Sequence, residues 1–278
     1  MREEREENRN LTPETAIAGL EQKEDLGLRY YAAWWLGKFR VKRREAVEAL
    51  IRALEDEEDR APDGGFPLRR NAAKALGKLG YLEAVEPLIN CLECDDYYVR
   101  ESAAQALEML KDKRAIEPLR EMLRHAVVDG QLTEYAKETI PGKPHPHEPY
   151  EAIIEALGTL GDKEAIPLIE AFLEHPIPKV AYAAARAMYQ LTGDSQYGEI
   201  LVRALQGEEL QLRRSALMDL GAIGYTPAAE AISETLAENS LKLIAMKGLL
   251  EAEISRMPPG GEVCGNTVRI MNLMDELL

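Results

Sequence analysis

The chain has 278 residues, 46% of them apolar, enough to bury a substantial core. Its formal net charge of −15 repels phosphate backbones and argues against a nucleic-acid partner. No apolar run approaches the roughly 20 residues that span a bilayer, residues 1–10 lack the apolar stretch of a signal peptide, and three cysteines are too few for a disulfide scaffold; a cytoplasmic protein without membrane insertion is expected.

After the charged tail over 1–10, Thr12 followed by Pro13 predicts a capping helix over 11–22. Leu28 then opens a frame, LRYYAAWWLG, that returns at Leu68, Val99, Pro149, Val180, Leu212 and Leu241, usually as a small-residue helix ending in Leu-Gly. Each frame leads through a Gly- or Asp-containing turn to a second amphipathic segment, expected over 46–57, 84–95, 115–125, 165–175 and 228–239. In the second of these Val85, Leu88, Ile89 and Leu92 make one helical stripe, and Glu83, Glu86, Asn90 and Glu93 face outward. Pro87, Pro118 and Pro167 fall in first turns, where a missing amide donor costs little. Strand-like alternation is absent. A repeat of about 30 residues without the Trp-x-x-Leu-Gly of TPR units or the Thr-Pro-Leu-His of ankyrin units points to an all-α protein, an α-solenoid of short HEAT-like helical hairpin repeats over 11–253.

The first frame departs from the others. Trp34 stands where they have Lys74, Gln105, Glu155, Arg186, Met218 and Lys247, mostly solvent positions. Trp35 stands where they have Ala75, Ala106, Ala156, Ala187, Asp219 and Gly248, mostly small residues that let helices approach closely. The intervals from Leu28 to Leu68 and from Val99 to Pro149 are long, which places insertions at 58–67 and about 126–148; solenoid insertions often serve recognition, and a loop without a task is the bland alternative. Pro258-Pro259-Gly260-Gly261 ends the array, and the segment 254–278 carries an amphipathic helix over 267–278.

Catalytic motifs are sparse. Cys91-x-x-Cys94 has metal or redox spacing but no second pair, and it ends an amphipathic helix, which favours structural cysteines. His145-Pro146-His147-Glu148 stands alone in a Pro-rich loop and is a weak metal signal; no metal is expected. Phosphate loops, dinucleotide fingerprints and Gly-x-Ser-x-Gly elbows are missing. What remains is a surface: Arg29, Arg69, Arg70, Arg100, Arg213 and Arg214 recur at frame starts, and a basic run covers 40–44. These arginines read either as a structural ladder with acids such as Asp95 and Asp96, or as bidentate partners for a ligand's carboxylates. The aromatics read either as a cap packed under the N-terminal helix or as a recognition surface.

The segments LRYYAAWWLGKF (28–39), LRRNAAKALGKLG (68–80), CLECDDYYVRE (91–101) and AENSLKLIAMKGLLE (237–251) resemble the E subunit of the E/F-type phycobilin lyases, above all those that attach phycocyanobilin to the phycocyanin alpha subunit. The resemblance runs from about Leu11 to Glu253 and takes in Pro141-Gly142-Lys143-Pro144-His145. It implies a heterodimer with an F-type lyase subunit that joins phycocyanobilin, a substrate rather than a tightly bound cofactor, by a thioether bond to a cysteine of the phycocyanin alpha subunit. The nucleophile then belongs to the acceptor, and the lyase works mainly by orientation. On that reading Tyr30, Tyr31, Trp34 and Trp35 belong to a bilin or partner surface, Arg69, Arg70 or Arg100 pair with the propionates, and an acid comes from Asp95, Asp96, Tyr97 or Tyr98. The alternative is a noncatalytic HEAT-repeat adaptor or scaffold for phycobiliprotein assembly.

Overall fold

The computed structural model describes residues 11–62, 64–143, 145–257 and 264–278; the charged tail and the Pro258-Pro259-Gly260-Gly261 break lie outside them. The helices, in chain order, are α1 (Pro13–Glu21), α2 (Leu26–Lys38), α3 (Arg44–Ala53), α4 (Pro67–Leu79), α5 (Val85–Asn90), α6 (Tyr97–Leu110), α7 (Ile116–Arg124), α8 (Glu134–Lys137), α9 (Tyr150–Leu160), α10 (Ile166–Ala171), α11 (Pro178–Thr192), α12 (Ser195–Ala204), α13 (Leu210–Ile223), α14 (Ala229–Glu234), α15 (Asn239–Arg256) and α16 (Gly265–Asp275). The frames are α2, α4, α6, α9, α11, α13 and α15, each a helix as expected, and the fold is the all-α solenoid class that the repeat predicts. No helix among the described residues is long and apolar enough to cross a membrane.

The second helices are shorter than their apolar stripes. Tight 3-10 turns at Leu82–Ala84 and Cys91–Glu93 flank α5, and Lys163–Ala165 and Phe172–Glu174 flank α10 in the same way. Such turns use i to i+3 bonds to satisfy end groups that an α-helix leaves open. Besides the short α8 in the second insertion, two features go beyond the sequence expectations. Asp194 caps α12 by accepting from the Gln196 amide, and a small antiparallel hairpin pairs β1 (Val127–Val128) with β2 (Gln131–Leu132) inside the second insertion. Its Asp129-Gly130 turn has φ of 51° and 76°, the left-handed pair that closes a two-residue hairpin.

Contacts gather the chain into two compact units, one running to Ala126 and including Glu138–Leu160, the other Val127–Lys137 with Gly161–Leu278. In the first unit α2, α4 and α6 pack in succession. Their buried faces are alanine and leucine, including Ala32, Ala33, Leu36, Ala72, Ala73, Leu76, Ala103 and Leu107. The Leu-Gly ends explain the close stacking: a Cβ on Gly37 would lie 2.7 Å from Ala75 Cα, and one on Gly77 2.8 Å from Ala106 Cα, nearer than side chains come. The frame thus keeps glycine facing alanine across both of these helix pairs. Thr12 caps α1, which seats Ala16 and Leu20 in the core.

Counting each frame's opening residue as zero, position one carries a cation in five of the seven frames, Tyr150 and Ala181 being the exceptions, and that cation donates to backbone carbonyls left open where the preceding helix ends. Arg29 Nε reaches Leu20 O at 3.2 Å; Arg69 Nε reaches Asp56 O at 2.6 Å; Arg100 Nη1 reaches Cys94 O at 2.6 Å; Arg213 Nη1 reaches Gly207 O at 2.7 Å; and Lys242 Nζ reaches Ser233 O at 2.8 Å. The ladder is therefore real, but carbonyls rather than Asp95 and Asp96 are its recurring acceptors. Arg29 adds a buried ion pair, Nη2 to Asp56 Oδ2 at 2.6 Å.

In the second unit the Tyr225 ring occupies the space beside Gly198, where a Cβ would come within 2.6 Å of it, and its hydroxyl donates to Glu199 at 2.6 Å. The C-terminal helix α16 packs on α14 and α15, burying Ile270 and Thr267, and Arg269 donates to Thr226 O at 3.1 Å. The 254–278 segment thus ends as a lid on the last hairpin's core.

His175 is buried and neutral in its bonding pattern: Nδ1 accepts from the Ile177 amide at 3.1 Å and Nε2 donates to Ala136 O at 2.9 Å. Burial holds its pKa below the ordinary value of 6.5. A depressed folded value means the unfolded chain takes the proton first as pH falls, so the stabilisation is full above the unfolded pKa and drains below it. Urea melts at pH 7.5 and 5.5 should therefore show a smaller acid loss in His175→Gln than in the parent, although the variant starts less stable. Equal losses in both would show that His175 takes up its proton without strain.

Candidate functional site

Both insertions converge on one cleft of the first unit, of about 280 Å³. Arg60, Phe66 and Arg70 line it from the first insertion and the start of α4; Asp95, Asp96, Tyr97 and Tyr98 from the start of α6; Ile140, Lys143 and His145 from the second insertion. The loops are tied in place. Asp96 caps α6 through Oδ1, which accepts from the Tyr98 amide at 2.8 Å, and its Oδ2 accepts from the Phe66 amide at 2.7 Å. Arg100 secures the other loop, donating from Nη2 to His147 O at 2.7 Å and from Nε to Glu148 at 3.0 Å.

Inside the cleft the surfaces are aromatic and cationic. The His145 ring stacks on Tyr97, centroids 3.7 Å apart at 15°, and meets Tyr98 edge-on at 5.4 Å. The Arg70 guanidinium lies over Tyr98 at 4.6 Å, while Arg60 and Arg69 lie over Phe66 at 4.1 and 4.2 Å. Such contacts hold a planar cation without neutralising it. Burial, with Glu101 and Glu151 adding to it, pushes the Tyr97 phenol above its ordinary range, so it stays a proton donor at neutral pH.

The structure separates residues that look alike in sequence. Arg69 spends its donors on the Asp56 and Glu55 carbonyls, and Arg100 spends three on Cys94, His147 and Glu148. The Arg70 side chain makes no hydrogen bond or ion pair to any described residue. Of the candidate acids, Asp96 is committed to two backbone amides, Asp95 is exposed, and Tyr97 and Tyr98 form the cleft's aromatic wall. Arg60, Phe66 and Lys143 are cleft residues whose shared sequence signal is membership of the two insertions, and His145, in sequence only a weak metal-ligand signal, lies in the cleft with them.

The aromatic frame does not line this cleft. Tyr30, Tyr31, Trp34 and Phe39 are exposed on or beside α2, with Tyr31 stacked on Trp34 at 5.4 Å and Trp35 against Phe39 at 4.8 Å. Helix α1 meets α2 at Leu28, against Gly19, and leaves Tyr30, Tyr31, Trp34 and Phe39 exposed, while Trp35 is half-buried. They form a separate apolar face. Cys91 is buried, with its thiol pushed up to about 12 mainly by burial, a structural and unreactive cysteine. Among the described residues no three of His, Cys, Asp and Glu gather as a metal-holding group.

Known proteins share this architecture. The model for HEAT repeats matches residues 59–134 and 143–221, and that for the PBS lyase HEAT-like repeat matches 28–56 and 212–238. A phycocyanobilin lyase subunit alpha of Nostoc sp. is 60% identical over 96% of this chain and 94% of its own length, and one of Picosynechococcus sp. is 58% identical over 96% of both. The bilin biosynthesis protein PecE of Nostoc sp. is 45% identical over 88% of both chains. The solved complex of CpcE and CpcF of phycocyanin lyase from Nostoc sp. contains a chain that superposes with a TM-score of 0.87 at 60% identity, covering 97% of this chain and 96% of that one. Repeat, frame and fold agree across nearly the full length, and the chain belongs to the family of phycocyanobilin lyase alpha subunits.

Proposed function

We propose that this chain is one half of a heterodimeric, cytoplasmic bilin lyase, in which it and an F-type partner attach phycocyanobilin to a cysteine of the phycocyanin alpha subunit, and that the cleft between the two insertions holds the bilin. The observation that carries this reading is Arg70: a guanidinium with no carboxylate partner among the described residues, lying over Tyr98 in an aromatic cleft of a protein whose net charge is −15. A propionate is the complementary group, and the aromatic walls suit a flat conjugated ligand. A cleft of about 280 Å³ lies at the lower limit of ordinary ligand sites and grips part of an open-chain tetrapyrrole, leaving the rest to the partner and the acceptor. The bilin is substrate, and the acceptor brings the nucleophile.

The exposed rings of α2 then serve the partner. Aromatic side chains concentrate at the centres of protein interfaces, and Trp34, Tyr31 and Phe39 supply such a centre beside the exposed Lys38 and Arg40. Co-expression with the F-type subunit, the phycocyanin alpha subunit and a bilin source tests both halves. Covalent absorbance on the acceptor should require this chain, and Trp34→Ala should stay folded yet lose co-purification with the F-type subunit. Attachment that proceeds equally without this chain would leave only the adaptor reading.

A further inference from the structure

We propose that His145 is the catalytic base of bilin attachment, taking the proton from the acceptor thiol and returning it to the bilin; the proposal rests on the cleft being the bilin site. His145 lines the cleft, is 8% exposed, and is fixed between the faces and edges of Tyr97 and Tyr98. Its Nδ1 lies 2.8 Å from Pro146 O. A carbonyl oxygen can only accept, so Nδ1 carries a hydrogen. In the neutral ring Nε2 then bears the lone pair, and it has no hydrogen-bond partner among the described residues. One nitrogen anchored by a backbone acceptor and the other left open is the arrangement a general base needs.

The other buried histidine provides the contrast. His175 uses both nitrogens, one accepting from Ile177 and one donating to Ala136. An open imidazole nitrogen is therefore not a by-product of burying histidine in this fold. His145 also sits beside the anion-binding group, because the Tyr98 ring that it touches edge-on is the ring beneath Arg70. A bilin held through a propionate at Arg70 places its neighbouring ring against the His145–Tyr97 stack.

The step balances without a further reagent. The acceptor thiol gives its proton to Nε2, and the sulfur forms a bond to the exocyclic carbon of the ethylidene group. The π pair of that double bond moves to the ring carbon, which takes the proton back from Nε2. The sum is addition of S–H across one C=C bond, with no oxidation, no leaving group and a regenerated neutral histidine.

His145→Phe keeps a ring for Tyr97 and removes both nitrogens. In the complex with the F-type subunit, phycocyanobilin binding read by absorbance titration should stay within about threefold of the parent, while single-turnover attachment to the phycocyanin alpha subunit slows by about 100-fold or more. In His145→Gly, added imidazole should restore part of the attachment rate in a saturable way, which also covers the case that the Phe variant does not fold. Parent-like attachment by His145→Phe overturns the proposal, as does a fall in attachment fully explained by weaker binding, or a His145→Gly complex that binds bilin but ignores imidazole. Unchanged bilin binding in Arg70→Ala would instead remove the cleft reading beneath it, a separate failure.

Discussion

Asp56→Ala should lower the stability of the first unit by about 3 kcal/mol, a loss read as a fall of roughly 10 °C in its melting temperature or a matching shift in urea midpoint. The reason is the position of its partner. Arg29 and Asp56 have side chains 9% and 8% exposed and stand 2.6 Å apart. Removing the carboxylate leaves a desolvated guanidinium with only the Leu20 carbonyl and the more distant Glu58, 3.8 Å from Nη1. Asp56 also accepts from the Asp59 amide at 2.9 Å, so the first insertion loses its root at the same time. Replacing both partners, as in Arg29→Met with Asp56→Leu, should cost less than the single change, because no unpaired charge remains. A double variant less stable than Asp56→Ala would show that Arg29 contributes chiefly through its carbonyl bond.

Arg70→Ala should weaken phycocyanobilin binding by about tenfold, the lower part of the range for a hydrogen bond to a charged group, because Arg70 is only half-buried. Arg70→Lys should fall between the two: it keeps the charge and loses the planar fork and the stacking on Tyr98. Arg214→Ala makes the control, since that arginine already pairs with Glu238 on an exposed surface of the other unit. Equal affinities for the parent and Arg70→Ala, measured by titration at fixed ionic strength, would move the bilin elsewhere. Melting curves should barely change, as no structural bond is lost.

The hairpin repeat was legible because packing needs small residues at fixed intervals, and the run from Ala72 to Gly77 spells that need out. Helix ends were less so. The stripe Val85, Leu88, Ile89, Leu92 is continuous in sequence, but its last member sits in a 3-10 turn, and hydrophobic spacing does not distinguish the two helix types. Helix α12 escaped because Gly198, small to admit Tyr225, weakens its stripe. Asp129-Gly130 is a hairpin signal, masked by the helical pattern on either side of it. At the candidate site the residue types were legible and their duties were not. Arg70 and Arg100 differ through acceptors at His147 and Glu148, far along the chain.

The cations at position one suggest a practical division of the repeat. Because each closes the carbonyl end of the helix before it, that column is architecture in every copy where it occurs, whereas the adjacent column carries side chains as different as Tyr30, Arg70 and Arg214. A library randomised only at Tyr30 and Arg70 would leave the position-one fastenings intact while presenting new chemistry on two neighbouring hairpins, so cargo preference and foldability could be selected independently in the same chain.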